Sequence, residues 1–225
     1  MPQKDDAGRL AAEIVARLRL MPNANTAAVR VARRAYSKRL AKESPQVVRS
    51  VALLLLREQD FRFRWVAYEL VTHHRAALQS LMSKDLEQFG KGIASWGAVD
   101  TFACYISGPV WREKQVPDRL IHGWARSADR WWRRAALVST VPLNNKTRGG
   151  HGDAKRTLAV CRLLVSDTDD MVVKALSWAL RELAKRDCNS VRAFMEEHRA
   201  VLTKRVVREV TNKLTTGLKN PKGTR

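Results

Sequence analysis

The 225-residue sequence predicts an all-α protein, a solenoid of stacked helix pairs, and three observations lead there. Apolar residues recur at spacings of three and four almost everywhere, while the period-two alternation of strands is nearly absent. Cap signals stand where several periodic runs begin. Short segments resembling one another also recur along the chain, the sign of a repeat architecture.

In chain order the spacing predicts helices over 7–20, 26–42, 45–58, 61–80, 84–91, 97–106, 117–127, 129–141, 153–166, 169–186, 190–198 and 202–215. Ser44-Pro45 places a cap before a first-turn proline, and Pro117-Asp118 opens another run. Asp167 to Asp170 put acids at a helix start, where the dipole favours them. The clearest break is Pro142-Leu-Asn-Asn-Lys-Thr-Arg-Gly-Gly-His-Gly152, a loop by composition. The repeat is weak. Phe63-Arg-Trp-Val-Ala-Tyr-Glu-Leu70, Trp131-Trp-Arg-Arg-Ala-Ala-Leu137 and Val172-Val-Lys-Ala-Leu-Ser-Trp178 share an alanine before an apolar stretch. Ala135 and Ala175 are 40 positions apart, and Ala67 and Ala135 are 68 apart, twice 34. Periods of about 34–45 with two helices each are those of HEAT-like solenoids, whose concave face suits a duplex. An ordinary helical bundle with chance recurrence of small residues is the alternative.

The chain carries 42 Lys and Arg against 22 Asp and Glu, a net charge of +20. Such a charge calls for a polyanion, first nucleic acid and second a membrane surface or polyphosphate. The excess is +6 over residues 1–60, +8 over 61–168 and +6 over 169–225, so it belongs to a folded body. One domain is expected over 1–211, followed by a basic tail over 212–225 in which Lys213, Lys219, Lys222 and Arg225 meet no acid and which is expected to fray. A hydrophobic share of 45% argues against disorder. The longest apolar run, Val51-Ala-Leu-Leu-Leu-Leu56, falls far short of the ~20 residues that span a bilayer. The first residues lack the apolar core of a secretory signal, and a cytoplasmic protein is expected. Cys104, Cys161 and Cys188 are too scattered for disulfides or zinc and read as reduced packing residues. His73, His74, His122, His151 and His198 show no ligand or triad spacing, and no P-loop or nucleophile elbow is present. No cofactor and no metal are expected.

Three constellations stand out. In 169–186, Val172, Ala175, Leu176, Ala179 and Leu183 form a core stripe, while Lys174, Trp178, Arg181 and Lys185 share the other face. A ring among cations suits a sugar or base flanked by phosphates; it equally suits a Trp packed on the next repeat beside solvated charges. Arg126, Arg130 and Arg134 recur every four residues, with Arg133 beside them and Trp131 and Trp132 interleaved. This is either a phosphate-binding stripe or a solvated face over core tryptophans. Trp96 and Asp100, four apart, share a helix face, unless Asp100 only caps and Trp96 only packs.

Together, Trp96-x3-Asp100, Asp129-Arg-Trp-Trp-Arg-Arg-Ala-Ala136 and Lys174-Ala-Leu-Ser-Trp-Ala-Leu-Arg-Glu-Leu-Ala-Lys185 resemble the AlkD-type DNA alkylation repair glycosylases in order and separation. Leu202-Thr-Lys-Arg205 is similar to that family's closing repeat, and the resemblance covers about 96–210. It implies a HEAT-like solenoid with a basic concave face that grips double-stranded DNA as a monomer. The activity implied is base excision of cationic N3- and N7-alkylpurines without base flipping, contrary to the usual habit of glycosylases. It further implies that Asp100 is the catalytic carboxylate, that Trp96 and Trp178 contact the lesion deoxyribose, and that Arg134 helps hold a phosphate. Arg130, Arg133, Lys174, Arg181 and Lys185 are the further candidate phosphate contacts. Residues 1–82 lack the family's usual glycine-containing segment, and Gly97 stands where an acidic residue is expected.

Overall fold

The computed structural model describes residues 2–221, with side chains from Asp6 onward. Met1, and Lys222 and Arg225 of the expected tail, lie outside the described residues. Every regular element among the described residues is helical. The chain divides into two compact units, one ending at Gly92 and one beginning at Ile93.

The first unit holds α1 (Pro2–Arg19), α2 (Thr26–Leu40), α3 (Pro45–Leu55), α4 (Phe61–Thr72), α5 (Arg75–Gln79) and α6 (Ser83–Gly90). Its starts are capped as the sequence suggests, Ser44 Oγ accepting from the Val47 N–H ahead of α3. The helix expected over 61–80 breaks at His73-His74. The His74 ring accepts from the Ala77 N–H and so caps α5. α3 packs against α1 and α4, burying Ile14, Leu18, Val48, Val51, Leu55, Val66 and Leu70. Arg33 and Glu69 pair within it at 2.7 Å, both buried.

The second unit holds α7 (Trp96–Phe102), a π-helical turn (Ala103–Ser107), α8 (Gly108–Arg112), α9 (Asp118–Ala125), α10 (Arg130–Val138), α11 (Val141–Asn144), a 3-10 turn (Lys146–Arg148), α12 (Ala154–Leu163), α13 (Asp170–Leu183), α14 (Cys188–Glu197) and α15 (Lys204–Thr216). Successive packing of α7 on α10, α10 on α13 and α13 on α15 makes one layer. α9, α12 and α14 back it, each touching its neighbours in the first layer. The first-layer helices begin at Trp96, Arg130, Asp170 and Lys204, intervals of 34, 40 and 34, the stacked-pair register of a HEAT-like repeat. The alanines that signal the repeat, Ala67, Ala135 and Ala175, are fully buried, each leaving room for a neighbouring helix.

Several expectations are corrected. The helix expected to end at 106 runs on through the π turn and α8 to Arg112. Pro109 has no N–H for the carbonyl four residues back, and a wider turn ahead of it accommodates that loss. The segment 142–152, a loop by composition, holds the last three residues of α11 and the whole 3-10 turn. α15 continues to Thr216 and stops where Gly217 adopts φ +74. Residues 212–219 of the expected fraying tail are tied back: Asn212 donates to the Lys219 carbonyl at 3.1 Å, and Lys219 Nζ lies 3.4 Å from Glu209. Cys104 and Cys161 are buried as packing residues, but Cys188, at the first position of α14, is exposed.

Candidate DNA-lesion site

Ser95 accepts from the Ala98 N–H and fixes the start of α7, so Trp96 and Asp100 stand one turn apart on one helix. Trp96 is 64% exposed, an unusual cost for an indole. The Asp100 side chain is only 19% exposed and meets Arg134, 7% exposed, in a forked ion pair. Arg134 Nε donates to Asp100 Oδ1 and Nη2 to Oδ2, both at 2.8 Å. The third nitrogen, Nη1, donates to the Met171 carbonyl at 2.6 Å. Arg134 therefore joins α7 to α10 and α10 to α13, and Asp100 is neither a cap nor a core bystander.

Burial pushes the Asp100 carboxyl above its usual range, and the hydrogen bonds and charge of Arg134 pull it back. A bidentate guanidinium fixes carboxylate orientation as well as charge. Each nitrogen of Arg134, the residue expected to help hold a phosphate, already donates once within the protein, to Asp100 or to Met171, which leaves one further N–H on each terminal nitrogen.

α13 is laid out as its pattern requires. Val172, Ala175, Leu176, Ala179 and Leu183 are buried, and Trp178 and Arg181 are half-buried on the other face with Lys174 and Lys185. The candidate phosphate contacts, however, are matched by acids of this chain. Lys174 meets Asp170 at 2.6 Å and Lys185 meets Glu182 at 2.8 Å. Arg133 Nε meets Asp167 at 2.7 Å, while Arg130 lies 3.5 Å from Asp169 and over the Trp131 ring. Arg181 donates to Ser177 Oγ at 3.1 Å with Glu209 3.9 Å away. The four-residue stripe is also broken. Asp129 caps α10, so Arg126 ends α9 and shares no helix face with Arg130 and Arg134. Trp132 is half-buried and packs on core aromatics, its ring centroid 4.9 Å from Trp124 and 6.1 Å from Phe102.

The buried acids Glu182 and Glu209 escape sequence reasoning as partners, because acids within basic helices give no local sign of what they will meet. Among the described residues no group of three His, Cys, Asp or Glu is placed to hold a metal ion. No helix of the described residues is long and apolar enough to cross a membrane.

The sequence model of the DNA alkylation repair enzyme family matches residues 23–214. The chain belongs to this family. The match begins within the first unit, well before the motifs that carry the resemblance. Membership gives the general function, DNA alkylation repair by a DNA-binding protein with a glycosylase-type activity. No curated protein and no solved structure matches the chain.

Proposed function

We propose that this family member hydrolyses the N-glycosidic bond of cationic N3- and N7-alkylpurines in double-stranded DNA without flipping the base. The observation that carries the reading is the Asp100 carboxylate, held in a fixed plane by Arg134, partly exposed, and one turn from the exposed Trp96.

An N3- or N7-alkylated purine already bears a positive charge. When the C1′–N bond breaks, its electron pair neutralises the base, which leaves without a general acid. Positive charge builds on the deoxyribose as in sugar hydrolysis. Asp100 stabilises that charge and orients a water; the water's oxygen bonds C1′ and its proton passes to the carboxylate and then to solvent. The indole faces of Trp96 and Trp178 add cation–π stabilisation beside the sugar. Arg134 serves as a positioning residue, keeping Asp100 ionised and aligned. One carboxylate suffices, because the cationic base needs no general acid to leave.

A non-catalytic DNA scaffold is the second reading, favoured by the fact that Arg134 engages both Asp100 oxygens. Release of 7-methylguanine and 3-methyladenine from alkylated duplex separates the two. The enzyme reading expects release well above the spontaneous rate, lowered on the order of a hundredfold or more by Asp100→Asn, with duplex binding kept. Wild-type release no faster than spontaneous loss sinks it in favour of the scaffold.

A further inference from the structure

Apart from Arg126, which donates only to the His122 carbonyl, the cations of the predicted basic stripes are matched by internal acids, and two further unmatched cations of the second unit fall together on one short segment. Lys146 and Arg148 have no acidic partner among the described residues, and both sit on the short segment 145–152 between α11 and α12. Its composition marks it only as a connection. Its construction is more than that.

Arg186 Nε donates to the Asn144 carbonyl at 2.8 Å and its Nη2 to the Gly150 carbonyl at 3.3 Å. Arg112 donates to the Arg148 carbonyl. The Gly150 N–H donates to the Asn145 carbonyl at 2.8 Å, and Gly152 to Leu143 at 3.0 Å. Gly149 turns the chain at φ +80, and a Cβ on Gly150 would stand 2.4 Å from the Pro142 carbonyl oxygen, so only glycine fits there. A segment fastened in this way through its carbonyls is set before any ligand arrives, and ordering it on binding costs little.

The segment is also fastened beside the lesion site. Asn145 Nδ2 donates to Glu182 Oε1 at 2.9 Å, one turn beyond Trp178 on α13. Arg148 stacks over Tyr105 at 4.9 Å and donates to the Cys104 carbonyl at 3.4 Å, one turn beyond Asp100. One turn is about 5.4 Å, against about 3.4 Å per nucleotide along a strand. On the proposed reading, a strand with a deoxyribose at Asp100 would carry its neighbouring phosphates past the end of this turn, where Arg148 is fastened with Lys146 two residues before it.

We propose that residues 145–152 form a preformed clamp for a phosphodiester of duplex DNA, with Lys146 and Arg148 as its cationic contacts. The inference deepens the proposed function and rests on its reading of duplex DNA as the substrate. Thr147, whose hydroxyl donates to Asn145 Oδ1 at 2.7 Å, holds the turn between the two cations.

Salt dependence of affinity for an unmodified duplex tests the clamp on the full chain. One lost phosphate contact lowers the slope of log K against log salt by about 0.9. Lys146→Ala is therefore expected to lose about 3.5-fold less affinity than the wild type does between 50 and 200 mM salt. Arg119→Ala, an exposed cation on α9 in the backing layer, is expected to leave the slope unchanged. An unchanged slope for Lys146→Ala, or equal losses for both variants, overturns the clamp. So does a Lys146 effect confined to single strands. If the slope falls for Lys146→Ala while wild type releases no alkylpurine, the clamp stands and the glycosylase chemistry fails. Alkylpurine release with an unchanged slope keeps the chemistry and removes the clamp.

Discussion

Replacing Arg134 by methionine removes a guanidinium of which 7% is exposed and leaves two groups stranded: the Asp100 carboxylate and the Met171 carbonyl. Breaking one side of a buried pair costs about 3–5 kcal/mol, because the remaining charge keeps its desolvation penalty without its partner. In a chain of this size that lowers the melting temperature by roughly 6–20 °C, and with m near 3 kcal/mol/M it lowers the urea midpoint by about 1–2 M. The double variant Asp100→Leu/Arg134→Met removes both charges and should recover much of the loss, giving a favourable coupling for the pair. The sign of the pH dependence follows from the same pair. Without Arg134, burial alone acts on Asp100 and lifts its folded pKa further above the unfolded one. Between those two values the native state binds more protons than the unfolded chain, so stability rises as pH falls through the folded pKa. The Arg134→Met deficit is therefore smaller at pH 5 than at pH 8. Urea unfolding at both pH values measures all of this. A cost below about 1 kcal/mol, a double variant no better than the sum of its parts, or a deficit that grows in acid would refute the reasoning.

Three further outcomes follow from the same geometry. Trp96→Ala should leave stability within about 0.5 kcal/mol, since the indole is exposed, while lowering alkylpurine release and sparing affinity for undamaged duplex; an unaffected release rate removes Trp96 from the site. Trp132→Ala should cost about 2–3 kcal/mol in urea unfolding, because the half-buried ring packs against both Phe102 and Trp124; a loss under about 0.5 kcal/mol contradicts that packing. Of the three thiols, only Cys188 should react quickly with a thiol reagent in the folded protein, since burial pushes Cys104 up to about 12 and raises Cys161 as well; two fast-reacting thiols would contradict the burial.

The repeat body is legible in the sequence because helical periodicity is a local property. On α13 the residues expected in the core, Val172, Ala175, Leu176, Ala179 and Leu183, are the buried ones. Asp129, Asp169 and Ser95 cap the helices that carry the site, through contacts that reach no further than three residues along the chain. The Trp96 and Asp100 spacing likewise follows from one turn of α7. Less visible is the register of breaks. A four-residue rhythm carries Arg126 into the same stripe as Arg130, although the chain reverses between them, and periodicity gives no sign that the helix continues through a π turn to pass Pro109.

What the sequence by itself determined is the all-helical repeat, its core stripes and the family to which the chain belongs, all of which rest on short-range patterns. Only the tertiary structure decided which partner each charge takes. Asp100 and Arg134 are 34 positions apart, Arg133 and Asp167 also 34, and Ser177 and Glu209 32, so each partner is chosen by which helix stacks next. That choice sets Arg134, expected to help hold a phosphate, against the Asp100 carboxylate. It also leaves the segment 145–152 carrying cations that no acid among the described residues of the second unit offsets. Local spacing specifies a face; which charge a face meets is set by long-range packing, where desolvation makes every match or mismatch count.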